Sequence, residues 1–489
     1  MQTLATLQSP PDTTPRGDGR APGLPRLVGA DLEVPLASGE VRRYVNLDCA
    51  ASTPAMQPVI DAVTTLLPWY SSVHRGAGFT SQVSTRAYEA ARHAVAAFVG
   101  ARASDMVIFV RNTTDAFNLL AHCLPLRPGH VVLSTAVEHH ANMLPWRRVA
   151  KVVYLEPPPS PEALIDAVRH ALEDRRRPVG LVAITGASNV TGEVFPIREV
   201  AALAHEHGAL VAVDAAQLAP HRRIDMVSSD VDFVAFSGHK MYAPFGAGAL
   251  VAPAAVLQNA EPFLAGGGAV SYVTLDDVQW AVLPDRLEAG SPNVIGAVAL
   301  AAACDALNAA GMQHIANHER RLLAFLEGSV VDIPGVRRLQ LWSGDTVDRL
   351  GVFTFTIEGM HHALVASTLS AEYGIGVRHG CFCAHPYISH LLGVSLADAH
   401  GIRERLRRGE HHHIPGAVRA SFGIGTTVEH IDRFVTALHS IVENGPKLEY
   451  MEDSATGDYV PTSDKRAYPA FEFLPALEGS ALAAGCGQF

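Results

Sequence analysis

Between Met106 and Val251 the chain repeats one unit: a short uninterrupted apolar run, then, in several cases, a stretch with helical spacing. The runs are Met106–Val110, Val131–Ser134, Val152–Leu155, Leu181–Thr185, Leu210–Val213, Phe233–Phe236 and Ala249–Val251. Helical stretches at Ala116–Cys123, Pro161–Asp174 and Val200–His207 separate several of them. Strands that are apolar throughout need cover on both faces, which parallel sheets receive from their crossover helices. The pattern therefore predicts an α/β unit with a mostly parallel, seven-stranded sheet. Its ligand belongs beyond the carboxyl ends of the strands.

The flanks differ in character. Residues 1–28, rich in Pro, Gly, Thr and Ser, show no periodicity and are expected to be a disordered lead-in. Asp31–Asp48 suggests two short strands around Ser38-Gly39, and helices are expected at Gln57–Tyr70 and Thr85–Val99. From Asn293 an Ala-rich helix begins, followed by a second helical stretch to Leu326, strands at Gly351–Ile357 and Gly374–Val377, and a last helix at Val428–Val442. This organisation predicts a large domain over 29–292, to whose smaller neighbour the first residues contribute, a small α+β domain over 293–444, and a tail over 445–489. The sequence leaves open whether that tail packs on the body.

Charge narrows the function classes. Lys and Arg total 38 against 49 Asp and Glu, a net charge of −11, so no basic surplus is available to displace counterions from nucleic acid. The longest apolar run, near Val294–Cys304, falls short of the ~20 residues a membrane crossing needs. The first residues, MQTLATLQSPPDTTPRGDGRAPGLPRL, hold no apolar core of a secretory signal. A cytoplasmic protein without nucleic-acid or membrane partners is expected, and its six cysteines are no disulfide framework.

Only four residues are lysines: Lys151, Lys240, Lys447 and Lys465. Lysine can lose its proton and form a Schiff base, which arginine cannot. Lys240 closes Ser237-Gly238-His239-Lys240, directly after an apolar strand, and Asp214 ends another strand 26 residues earlier. A buried carboxylate beside an amine suits pyridoxal phosphate, with Lys240 on its aldehyde and Asp214 on its ring nitrogen; a structural ion pair or a surface lysine is the alternative. Arg111-Asn112-Thr113-Thr114-Asp115 lies between a strand and a helix, as an anion site or an ordinary N-cap. Ser188-Asn189 follows another strand. Glu138-His139-His140-Ala141-Asn142 offers a histidine that could stack on a ring or simply be solvated.

Together these strings resemble the class V aminotransferase family of pyridoxal phosphate enzymes, and closely its SufS-like cysteine desulfurases. The resemblance runs from Asn46 to Val442. It includes NLDCAAS, HRG (His74–Gly76), RNTTDAFN, EHHANMLPW, SNVTG, DAAQLAPHRRIDM, DFVAFSGHKMYAPFGAGAL, GGG (Gly266–Gly268), EAGSPN, RHGCFCAHP and VRASFG. It implies the type I pyridoxal-phosphate transferase fold and a homodimer. Lys240 would be the Schiff-base lysine, Asp214 the ring-nitrogen partner, and Gln217 and Asn189 the contacts to the ring oxygen. His139 would stack on the ring, while Thr114, Ser237 and His239 hold the phosphate with Ser291 of the second subunit. Arg419 would clamp the substrate carboxylate bidentately. Cys383 would take sulfur from L-cysteine as a persulfide, releasing L-alanine, with Arg378, His379 or His385 favouring its thiolate. A sulfur-acceptor protein would then collect the persulfide.

Three stretches depart from the family pattern. The cysteine loop is His379-Gly380-Cys381-Phe382-Cys383-Ala384-His385, where the pattern has two histidines before a single cysteine. Cys381 is thus open to three readings: a second acceptor, a resolving thiol, or a small buried side chain. No metal site is expected there, since four ligands within seven residues would demand an awkward chain path. HRGAGF lacks a second histidine, and 386–418 is expanded, with Arg403, Arg405, Arg407, Arg408 and His411-His412-His413 on it. A second activity stays open on the same cofactor: a β-lyase, epimerase or aminotransferase acting on another amino acid.

Overall fold

The computed structural model describes residues 21–344, 346–412 and 414–469, with the side chain of Leu396 left out. Seven strands form the central sheet: β1 (Asp105–Val110), β2 (Val131–Thr135), β3 (Lys151–Leu155), β4 (Val179–Thr185), β5 (Leu210–Asp214), β6 (Phe233–Ser237) and β7 (Gly248–Pro253). Their spatial order is β1-β7-β6-β5-β4-β2-β3. Pairings are parallel from β6 through to β3, while β7 runs antiparallel to both β6 and β1. All residues of β2, β4 and β6 are buried, which accounts for their unbroken apolar runs. Each apolar run expected from the sequence lies inside one of these strands.

The helix Phe79–Phe98 begins six residues before the expected Thr85, and Gln57–Tyr70 ends as an α-helix at Leu66 with one 3₁₀ turn beyond. The Ala-rich helix Val294–Ala310 packs along Phe79–Phe98 and leads into Met312–Val330. A second, fully antiparallel sheet follows, ordered β8 (Val336–Leu339), β9 (Val352–Ile357), β11 (Ala417–Ser421) and β10 (Arg378–Gly380). Its apolar face meets Phe434, Leu438 and Ile441 of the helix Val428–Asn444 in a core separate from that of the large sheet. Val45–Asn46 pairs in parallel with Ile375–Gly376 in a separate two-stranded sheet.

Both ends of the described chain are packed, and this corrects part of one expectation. Residues 1–20 of the expected disordered lead-in lie outside the described residues. Over 21–28, Leu24 and Leu27 are buried, and Val28 N–H donates to the Ala55 carbonyl at 2.8 Å. At the other end a hairpin, Tyr450–Glu452 with Tyr459–Pro461, lies against the helix His362–Tyr373. The Glu372 carboxylate accepts from the backbone N–H of Lys447 (3.0 Å) and Leu448 (3.1 Å) and from the Tyr450 hydroxyl (3.1 Å). The tail question is thereby answered up to residue 469. Among the described residues no single helix is long and apolar enough to cross a membrane.

Candidate active site

Three strands of the large sheet end at one point. β6 runs into a 3₁₀ turn, Gly238–Lys240, which aims Lys240 over the sheet's edge; β5 ends on Asp214; β4 leads to Asn189. The turn needs glycine at 238, because a Cβ there would lie 2.8 Å from the Ala247 carbonyl. The small sheet supplies Arg419 from β11 and Arg378 from β10. The resulting cleft, about 370 Å³, is lined by Thr114, His139, Asn189, Asp214, Gln217, Ser237, His239, Lys240, Arg378, Cys383 and Arg419. Every site residue expected from the sequence is there except Ser291.

Electrostatics mark the floor of this cleft. The protein packed around Lys240 pulls its ammonium down to about 8, against the pull of Asp214 and with help from Arg419. Burial pushes the Asp214 carboxyl up, opposed by the Ala216 N–H on Oδ1 (2.9 Å) and by Lys240. His139 is neutral: burial lowers it to about 3, and its Nδ1 accepts from the Ala141 N–H at 3.0 Å, which puts the ring proton on Nε2. Under it Glu138, raised to about 8 by burial, accepts from the Thr135 hydroxyl, Asn142 Nδ2 and Thr185 N–H.

The helix Thr113–Cys123 points its N-terminus into the cleft. Asn112 caps it by accepting the Asp115 N–H at 3.0 Å, and Ser237 Oγ accepts the Thr113 N–H at 2.8 Å. Thr114 is exposed at the mouth of this anion-favouring end. Gln217 Nε2 donates to the Ala50 carbonyl and Asn189 Nδ2 to the Phe382 carbonyl, at 2.7 and 2.9 Å.

Cys383 sits on a strained turn. Phe382 and Cys383 both adopt left-handed φ, 51° and 54°, and the Ala384 N–H closes the turn on the Cys381 carbonyl at 2.8 Å. Such φ values cost about 1–2 kcal/mol per residue for a non-glycine. The strain is held by the Asn189 bond to Phe382, the His140 N–H on the Cys383 carbonyl (2.8 Å) and the Arg419 guanidinium 4.9 Å over the Phe382 ring. Cys383 is left exposed, whereas Cys381 is partly buried and directs its thiol to the Pro415 carbonyl at 3.3 Å. Burial raises that thiol to about 11. This environment favours the reading of Cys381 as a small buried side chain. Beside the loop His385 and His140 stack with ring centres 5.0 Å apart. No group of three or more His, Cys, Asp or Glu among the described residues is arranged to hold a metal ion.

Ser291 lies in a separate surface cleft with Tyr70, His74, Arg75 and Gly268. Its loop hangs from Glu288, a buried carboxylate that accepts from Arg92, the Tyr88 hydroxyl and the Phe109 N–H. Within one chain it does not meet Lys240's cleft. Sequence reasoning missed Asp48, whose carboxylate takes Arg419 Nη2 and Arg378 Nε, each at 3.2 Å. Its only signal was the NLDCAAS string in which it stands. Phe382 and Glu138 were missed as well.

A parallel-sheet fold with a lysine, a carboxylate and a helix N-terminus at one strand edge is the layout of a pyridoxal-phosphate-type transferase, and the comparisons give the family. The chain belongs to the class V aminotransferases: the family model, Aminotransferase class-V, matches residues 45–434. A probable cysteine desulfurase of Vibrio cholerae is 36% identical over 408 residues, covering 82% of this chain and 94% of the relative. A probable cysteine desulfurase of Halobacterium salinarum is 36% identical over 421 residues, covering 83% and 93%. Among solved structures, the cysteine desulfurase CsdA of Escherichia coli matches with TM-score 0.69 and 32% identity, over 82% of this chain and 95% of that one.

Proposed function

We propose that this chain is a pyridoxal phosphate-dependent cysteine desulfurase, converting L-cysteine to L-alanine with a persulfide left on Cys383. One observation carries the reading: Lys240, Asp214, Arg419 and an exposed Cys383 line a single cleft. The donor set fits the cofactor. A buried carboxylate with one backbone donor suits a protonated ring nitrogen, a lysine poised near neutrality suits an aldehyde, and a helix N-terminus flanked by hydroxyls suits a phosphate. When bound, pyridoxal phosphate supplies an electrophilic carbon and an electron-withdrawing ring that acidifies the substrate's Cα–H.

The remaining work falls to the chain's own groups. Asp214 keeps the ring nitrogen protonated, Gln217 and Asn189 reach the ring oxygen, and neutral His139 covers the ring face. Thr114, Ser237 and His239 hold the phosphate. Arg419 and Arg378 grip the substrate carboxylate. Lys240, neutral above about 8, takes the Cα proton. The Cys383 thiolate attacks the substrate's sulfur: an S–S bond forms as the C–S bond breaks, the released Cβ takes up the proton that the Cys383 thiol gave up, Lys240 returns its proton to Cα, and alanine departs. Exposure of Cys383 leaves its persulfide within reach of a cytoplasmic acceptor protein.

The site is completed by a second copy. Tyr70 lines the cleft that holds Ser291, and Trp69, Phe79 and Tyr272, close in the chain to its lining residues, are exposed as well, apolar side chains suited to an isologous dimer. Ser291 of one copy then adds a hydroxyl to the other's phosphate. Ser291→Ala should raise the Kd for pyridoxal phosphate about tenfold or more, the loss of one bond to a charged group, while the dimer mass is unchanged. Equilibrium dialysis with light scattering measures both.

The defining test is product analysis with L-cysteine and a thiol reductant. Alanine and sulfide in equal amounts are expected; pyruvate and ammonia with the sulfide would mean β-elimination and would sink the desulfurase reading.

A further inference from the structure

Arg419 is nearly sequestered, with 2% of its side chain exposed, and its hydrogen bonds are incompletely used. Nη1 donates to the Asn189 carbonyl at 2.9 Å, Nη2 to Asp48 Oδ1 at 3.2 Å, and Nε, though buried, has no partner. The other oxygen of Asp48 accepts from Arg378 Nε at 3.2 Å. One carboxylate of the protein itself thus bridges the two arginines that face the cleft from β10 and β11.

The placement of Asp48 is rigid. Its own N–H donates to Asn46 Oδ1 (3.0 Å), its residue bridges Ser421 two positions beyond Arg419, and the Ala50 N–H donates to the Ser421 hydroxyl at 2.9 Å. A carboxylate tethered this way acts as an intramolecular ligand at high effective concentration. An incoming α-carboxylate has the vacant Nε of Arg419 to enter by, and must share or take Nη2 to become bidentate.

From this juxtaposition we propose that Asp48 is a specificity-determining residue, a built-in carboxylate that holds Arg419 and Arg378 in register while the site is free and competes with the substrate's carboxylate for them. The inference rests on the reading of Arg419 and Arg378 as the carboxylate grip. Competition of this kind weakens carboxylate ligands specifically: an amine with no carboxylate does not need to displace Asp48. It also speeds release of alanine, because Asp48 returns to the arginines as the product leaves.

The test is titration of the holoenzyme with L-alanine and, separately, with ethylamine, followed by cofactor absorbance, for the wild type, Asp48→Asn and Arg419→Lys. Asp48→Ser serves if the asparagine variant unfolds. Expected are an alanine Kd lowered about five- to tenfold in Asp48→Asn and an unchanged ethylamine Kd. L-Cysteine should show a lowered KM without a raised kcat. Addition of L-alanine should raise the thermal midpoint more in the variant than in the wild type, because it refills a charge site left open. Unchanged or weaker alanine binding in Asp48→Asn, with Arg419→Lys still weakened, overturns the placeholder role and makes Asp48 a plain structural partner. Alanine binding indifferent to Arg419→Lys overturns the carboxylate grip itself, and the inference with it.

Discussion

Cys383→Ala is expected to abolish alanine formation from L-cysteine, by about a thousandfold or more, while leaving the cofactor's absorbance intact. The argument is local. Among the described residues Cys383 is the only exposed cysteine; Cys49, Cys123 and Cys304 are buried, and burial pushes Cys49 up to about 12 and Cys123 to about 11. Cys381 donates its proton to Pro415 and is held up to about 11, so it is no ready substitute nucleophile. With no thiolate to accept sulfur, the C–S bond has no partner to break against. The Cα–H should nonetheless exchange with solvent, since Lys240, Asp214 and Arg419 are untouched. Proton exchange into L-alanine in D₂O, followed by NMR beside an assay of alanine production, separates the two steps. Retention of alanine production would remove the persulfide step and turn the site toward another chemistry of the same cofactor.

The parts of this site that were legible in the sequence share one property: each lies on a string that is its own local signal. Asp214 ends, and Lys240 and Asn189 closely follow, strands whose unbroken apolar runs follow from burial on both faces. Thr114 lies beside a visible N-cap. The small sheet was less legible for the complementary reason. Its strands are VRRL, RHG and AVRAS, and their arginines interrupt the apolar pattern because two of them face the cleft. Only β9, VFTFTI, shows a strand pattern. The helix Phe79–Phe98 begins with FTSQVS, whose Ser and Thr hide a helical start. Asp48 was invisible for a further reason. Its partners stand 330 and 371 residues away, and no local spacing encodes such a pairing.

The cysteine loop combines both cases. RHGCFCAHP locates the reactive residue, but nothing in it announces that Phe382 and Cys383 take left-handed backbone, which β-turns usually assign to glycine or asparagine. The contacts that enforce it come from Asn189 and His140 of the large-sheet unit and from Arg419 of the small sheet. The nucleophile is thus presented by a turn whose strain is balanced in part by Asn189 and Arg419, which also line the cleft.

Lys240→Ala should remove both reactions that Cys383→Ala separates: alanine production and Cα–H exchange each fall by about 10⁴, the upper range for loss of a positioned base. The pH dependence identifies the group. Lys240 is a base only when neutral, and its ammonium is lowered to about 8, so exchange rises as pH increases toward about 8 and then levels. Arg419, although burial lowers it against the pull of Asp48, stays charged through that plateau, because a guanidinium keeps its proton. Exchange in the Cys383→Ala enzyme should therefore rise to a plateau above about 8. Cys383 is absent from that variant, so the rising limb cannot belong to it. In Lys240→Ala the rising limb disappears, and free ethylamine supplied in solution restores part of the exchange by standing in for the missing amine. A rising limb that survives the loss of Lys240 would assign the base to another residue, with neutral His139, already held at about 3, the least suited to it.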